Sequence, residues 1–85
     1  MDMSRYDLIR PDIIDSLKAY AESGQPTGGF LEAVLSNDLF GAVGKADNDN
    51  IETLPLICSY IYNEISSACW GSRDKVLAWL KKERN

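Results

Sequence analysis

The sequence predicts an all-α fold, a small four-helix bundle-like domain with short connections. Three observations carry this. Apolar residues recur three and four positions apart in four separate stretches, each closed by Gly, Pro or an Asp/Asn-rich turn. No stretch alternates apolar and polar residues over the length of a useful strand. The connections between stretches are short, which sets successive helices against one another. The chain has 85 residues, one domain near the lower size limit for independent folding, so self-association is expected.

Residues 1–10 show no strong period and read as an N-terminal arm, loosely held or strand-like, ahead of a single helical domain over 11–85. The first helix starts at Pro11, a residue suited to the first helical position. Asp12 and Asp15 follow it in the early turns, where carboxylates complement the helix dipole. Ile13, Leu17, Tyr20 and Ala21 form its apolar stripe, and Gly24 with Pro26 ends it. Thr27 is the expected N-cap of a second helix, with Gly28 and Gly29 in its first turn. Leu31, Leu35, Leu39, Ala42, Val43 and Ala46 line one stripe if that helix is continuous. A break at Ser36-Asn37, with Asn37 as a new cap, is the alternative.

The turn Ala46-Asp47-Asn48-Asp49-Asn50 precedes a third helix over roughly Ile51 to Ser66, with Ile57, Ile61, Ile65 and Ala68 on its stripe. Pro55 leaves two options: a helix proper that starts near Thr53, or a longer helix containing the proline. Trp70-Gly71 reads as a turn and Ser72 as the N-cap of a last helix over Arg73 to Lys82, with Val76, Leu77 and Leu80 apolar.

Nine basic residues stand against thirteen acidic ones, a net charge of −4, which disfavours general binding to phosphate backbones. The segment from Arg73 to Arg84 is locally basic, so the remainder is more acidic than the total suggests. With two cysteines, Cys58 and Cys69, there is no disulfide framework, and both read as core or near-core packing. No signal segment or membrane-length apolar run is present, and a cytoplasmic location is expected.

Taken together, several strings resemble a family of small proteins of bacteriophages and prophages. They are Thr27-Gly28-Gly29-Phe30-Leu31, Val34-Leu35-Ser36-Asn37-Asp38-Leu39, Ala46-Asp47 with Asn50, Tyr62-Asn63-Glu64, Cys69-Trp70-Gly71-Ser72, then Val76 and Trp79-Leu80. The likeness covers about residues 14 to 82. It implies a setting, the host cytoplasm during infection, in which small accessory proteins often inhibit host defence. It implies no mechanism.

On continuous helices, Asp38 falls in the middle of the second stripe and Glu64 among Ile57, Tyr60, Ile61 and Ile65. A carboxylate on an apolar face needs a partner, a changed protonation state or an opening. The bland reading gives Asp38 a capping role, accepting from the N–H of Gly28 or Ser72 or from the Trp70 indole, and lets Glu64 reach solvent at a helix end. The functional reading makes them part of a partner-binding pocket. Phe40 and Tyr62 fall off the apolar stripes and suit an exposed partner surface. Thr27, Gly28 and Gly29 ahead of a helix, with Arg73, Lys75 and Trp70, form a candidate site for an anionic ligand. Asp47-Asn48-Asp49-Asn50 fails calcium-loop spacing, because Ile51 stands where an oxygen ligand belongs, so no metal site and no cofactor is expected.

Catalysis finds little support. There is no histidine and no evident base beside either cysteine, and so small a bundle offers little room for a cleft. The expected function is therefore non-enzymatic binding of a host protein as its inhibitor, or self-assembly. The alternative is an oligomeric binder that sequesters an anionic nucleotide signal. A nucleic-acid mimic ranks lower, because −4 with a basic C-terminal helix is too little negative charge.

Overall fold

A computed structural model describes residues 3–84, with side chains over 6–81. Met1 and Asp2 of the expected arm, and Asn85 of the expected domain, lie outside the described residues. The described residues contain five α-helices where four were expected: α1 (Pro11–Ser23), α2 (Gly29–Leu35), α3 (Leu39–Lys45), α4 (Asn48–Glu64) and α5 (Arg73–Arg84). Short 3-10 segments cover Met3–Leu8 and Ser67–Cys69, and the described residues contain no strand.

The extra helix comes from the break at Ser36-Asn37. Asn37 takes a left-handed conformation, φ 62°, which Asn tolerates better than most side chains. The Asn37 N–H donates to the carbonyl of Val34 and the Asp38 N–H to that of Ala33, at 3.1 and 2.9 Å. This pair of bonds closes α2 as a Schellman motif. Asp38, not Asn37, then caps α3, its carboxylate accepting from the Gly41 N–H at 3.0 Å. A Cβ at Gly41 would collide with the capping carboxylate as it stands, so a side chain there would have to displace the Asp38 cap.

Other boundaries follow the sequence with small corrections. Pro11 opens α1 and Gly24 follows its last residue. Gly28, not Thr27, is the N-cap of α2, and the Thr27 hydroxyl turns instead to the carbonyl of Gly28. Of the two options at Pro55, the longer helix is the one formed: Asp47 caps α4 by accepting from the Asn50 N–H at 2.8 Å, and Pro55 lies inside it. Ser72 accepts from the Lys75 N–H at the start of α5. Gly71 sits at φ 117°, a value costly for any residue with a Cβ, and so makes the turn into α5.

The later part of the expected arm, residues 6–10, packs against the core. Ile9 is buried, the Tyr6 ring meets the Tyr60 ring edge-on at 5.2 Å, and the Tyr6 hydroxyl donates to the Ser59 carbonyl. These residues join one core made by Leu17 and Tyr20 of α1, Leu31 and Leu35 of α2, Ile57 and Ile61 of α4, then Cys69 and Val76. Three hydrogen bonds stitch the elements around it. The Tyr20 hydroxyl donates to the Cys69 carbonyl at 2.6 Å, the Trp79 indole N–H to the Tyr20 carbonyl at 2.8 Å, and the Gly71 N–H to the Leu35 carbonyl at 2.7 Å. Burial raises the Tyr20 phenol well above its ordinary range, with the Cys69 thiol and Glu32 adding to the effect. No helix among the described residues is long and apolar enough to cross a membrane.

Candidate functional site

The break at Asn37 turns α3 so that its apolar side faces away from the core. Ala42 is the only residue of α3 that is buried. Leu39, Phe40 and Val43 are exposed at 61%, 88% and 45%. At helical spacing these three share one side of α3. The sequence stripe placed Leu39 and Val43 in the core, and the structure corrects this. The period was carried through two non-helical residues, and beyond them the phase no longer holds. Phe40 is exposed as expected, although the expectation assumed a continuous helix.

Beside α3 lies a groove of about 700 Å³, an open trough rather than a closed cavity. One wall is Pro55, Cys58, Ser59, Tyr62 and Asn63 of α4; the others are Val34 and Asn37 at the end of α2 and Trp70-Gly71 of the turn before α5. A smaller depression adjoins it, lined by Asp38, Leu39, Ala42 and Leu54 and sharing Val34, Asn37 and Cys58 with the groove. The surface from α3 to Tyr62 is therefore continuous. The expectation that so small a bundle lacks room for a cleft is corrected.

The groove is mainly apolar, and no charged residue lines it; Asp38 is the one charged residue of the adjoining depression. The Tyr62 and Trp70 rings meet at 6.0 Å and 54°, and Tyr62 is 73% exposed. The Trp70 indole N–H donates to the Ile65 carbonyl at 2.9 Å, which fixes the ring. Cys58, expected in or near the core, is exposed at the junction of the two hollows, whereas Cys69 is fully buried. Burial of the sulfur pushes both thiols up, so neither is activated as a thiolate. On α4, residues 51, 55, 58 and 62 repeat at helical spacing in a second stripe beside the core one, and Ile61, buried in the core, also lines the groove. That second stripe was legible in the sequence and was not read as a surface.

The stranded-acid reading of Asp38 and Glu64 does not hold. Asp38 is exposed and caps its own helix, without using Gly28, Ser72 or the Trp70 indole. Glu64 is exposed as the last residue of α4, lines neither hollow, and stands close enough to Tyr60 to help burial raise that phenol. Its position on the core side of the helix matters little, because the helix ends there.

The residues of the anion-site expectation are dispersed in role. Gly29 is overlain by the aliphatic chain of Lys45, which would lie 3.2 Å from a Cβ at that position. Arg73 reaches α2 one turn further on, at Glu32, 3.7 Å away. The Lys75 ammonium donates to the Ser67 carbonyl beside Gly71, and Trp70 belongs to the groove. The α2 helix has only seven residues, so little dipole stands behind its N-terminus. No cluster of three or more potential metal-ligating side chains occurs among the described residues.

Sequence reasoning did not single out Arg10. Its guanidinium bridges Asp12 at 3.0 Å and Asp47 at 3.2 Å, tying the start of α1 to the cap of α4. Comparison with protein-family models, curated proteins and solved structures returns no match.

Proposed function

We propose that this chain acts by binding another protein, without catalysis, through the outward apolar side of α3 and the groove beside it. In the phage setting that the resemblance implies, the partner is a host protein that is inhibited by being covered. The observation that carries this reading is the exposure of Phe40 at 88%, with Leu39 and Val43 exposed beside it on the same helix. Contiguous exposed apolar surface with a polar surround is what protein interfaces show. The raised Cys58 thiol and the uncharged groove lining favour binding over acid–base or nucleophilic chemistry. The anionic-nucleotide alternative draws less support, because Arg73 is taken up by Glu32 and Lys75 by Ser67.

The test is paired capture from bacterial host lysate with the wild type, Phe40→Glu and a control, Lys18→Glu, on the exposed side of α1. A specific partner should bind wild type and control and be lost with Phe40→Glu at unchanged thermal stability. A partner held equally by all three overturns this surface.

A further inference from the structure

We infer that the groove receives one amphipathic helix of the partner, apolar along one side and carrying Lys or Arg where it passes Asp38 and Glu52. The inference rests on the protein-binding reading and names the occupant of that surface.

Length is the first argument. The α4 wall runs from Pro55 to Asn63, about 12 Å at 1.5 Å per residue. That matches anchors at i, i+4 and i+7 of a docked helix, which span about 10 Å. The second argument concerns backbone polarity. The described residues offer no strand edge to pair with an extended peptide. Against an apolar trough, an extended chain leaves its N–H and C=O groups unpaired, whereas a helix satisfies its own.

The third argument is charge complementarity. Asp38 lines the α3 end, and exposed Glu52 lies one turn before Pro55 on the same side of α4. Pro55 has no N–H to give the Ile51 carbonyl, so this rim adds an acceptor that lacks its intrahelical donor. Two carboxylates and a carbonyl suit a donor-only cation, Lys or Arg. At the other end, near Gly71, the Lys75 ammonium is held by the Ser67 carbonyl. The exposed α3 of a second copy, Leu39–Lys45, ends one residue before an i+7 anchor counted from Leu39. That copy's basic helix, α5, already packs Val76, Trp79 and Leu80 into the core.

The experiment is selection of a random 16-residue peptide library on the full chain. Its readouts are the recovered pattern, affinity for variants, and alkylation of Cys58, the more accessible thiol. Recovered peptides should repeat apolar residues at i, i+4 and i+7 with Lys or Arg between, and bound peptide should slow Cys58 alkylation at least about fivefold. Tyr62→Asp, at an exposed position, should weaken binding about tenfold or more. Asp38→Asn with Glu52→Gln, which keeps a capping side chain at 38, should weaken it about threefold and reduce its salt dependence.

Recovery of no peptide, of peptides without helical period, or of peptides that leave Cys58 alkylation unchanged overturns the inference. So does full affinity for the double variant. Sedimentation supplies a further arm: a dimer dissociated by Phe40→Glu gives the surface to a second copy and also overturns it. If Phe40→Glu still abolishes capture of a host partner while no helix enters the groove, protein binding stands and only its occupant falls.

Discussion

Helices α1 and α3 both carry an apolar stripe, yet one hides it and the other displays it. In α1, Ile13, Leu17 and Tyr20 are buried in the core, with Tyr20 tied to the 67–69 segment and to α5; in α3, only Ala42 is buried while Leu39, Phe40 and Val43 face outward. Composition does not separate the two, since both contain branched and aromatic residues at helical spacing. The connections do. Helix α1 runs thirteen residues from Pro11 to Ser23, long enough to lay three anchors on the core. Helix α3 has seven, enters through a left-handed Asn37, and contains Gly41 and Gly44. The lesson is that an apolar stripe predicts a surface that wants covering, and the turn before it decides whether the same chain does so.

The largest test of this comparison is a matched pair of truncations. Leu17→Ala, at a fully buried site, should destabilise the chain by about 2–5 kcal/mol in urea unfolding, while Leu39→Ala should change it by less than about 0.5 kcal/mol. Equal costs would mean that α3 is packed as tightly as α1. Next in size, Tyr20→Phe keeps the ring but removes the donor to the buried Cys69 carbonyl, at an expected cost of about 1–3 kcal/mol. A loss below a few tenths of a kcal/mol would show the tie between α1 and the 67–69 segment to be incidental.

The junction that re-aims α3 gives a smaller effect. Asp38→Ala should cost about 1 kcal/mol and Asp38→Asn much less, because Asn also caps. Asn37→Gly should be neutral or slightly stabilising, since glycine takes the left-handed conformation without a Cβ. A cost for Asn37→Gly near that of Asp38→Ala would show that the Asn37 side chain has a further role.

The smallest effect is on acid stability. The Asp47 carboxyl is held below its ordinary value by the Asn50 N–H first and Arg10 after it, and Asp12 is held low by Arg10. Carboxyls with depressed folded-state values bind fewer protons folded than unfolded. They therefore stabilise the fold above the ordinary carboxylate range, and this contribution disappears as pH falls through and below about 4. Thermal midpoints should fall on that side, and Arg10→Met should make the fall shallower. An unchanged acid profile in Arg10→Met would remove Arg10 from the account.

Much of the fold was legible. Pro11, Gly24, Ser72 and the stripes of α1 and α4 fixed helix class and boundaries to within a few residues, because capping chemistry and periodicity are local. The site was half legible. Phe40 and Tyr62 were found because they fall off stripes. Cys58 and Pro55 sat on a second α4 stripe that is weaker in hydrophobicity. Asp38 and Glu64 were misplaced for different reasons: one stands past a phase break, the other at a helix end.

By itself the sequence determined that this chain is helical, where most helices start and stop, and which residues make up apolar stripes. Those properties depend on neighbours within about four positions. Tertiary structure alone decided that α3 turns its apolar side outward, that Val34, Tyr62 and Trp70 border one groove, and that Arg10 joins two helix starts. Each of these depends on residues distant in the chain being brought together. A single left-handed residue between α2 and α3 sets the direction for everything that follows it.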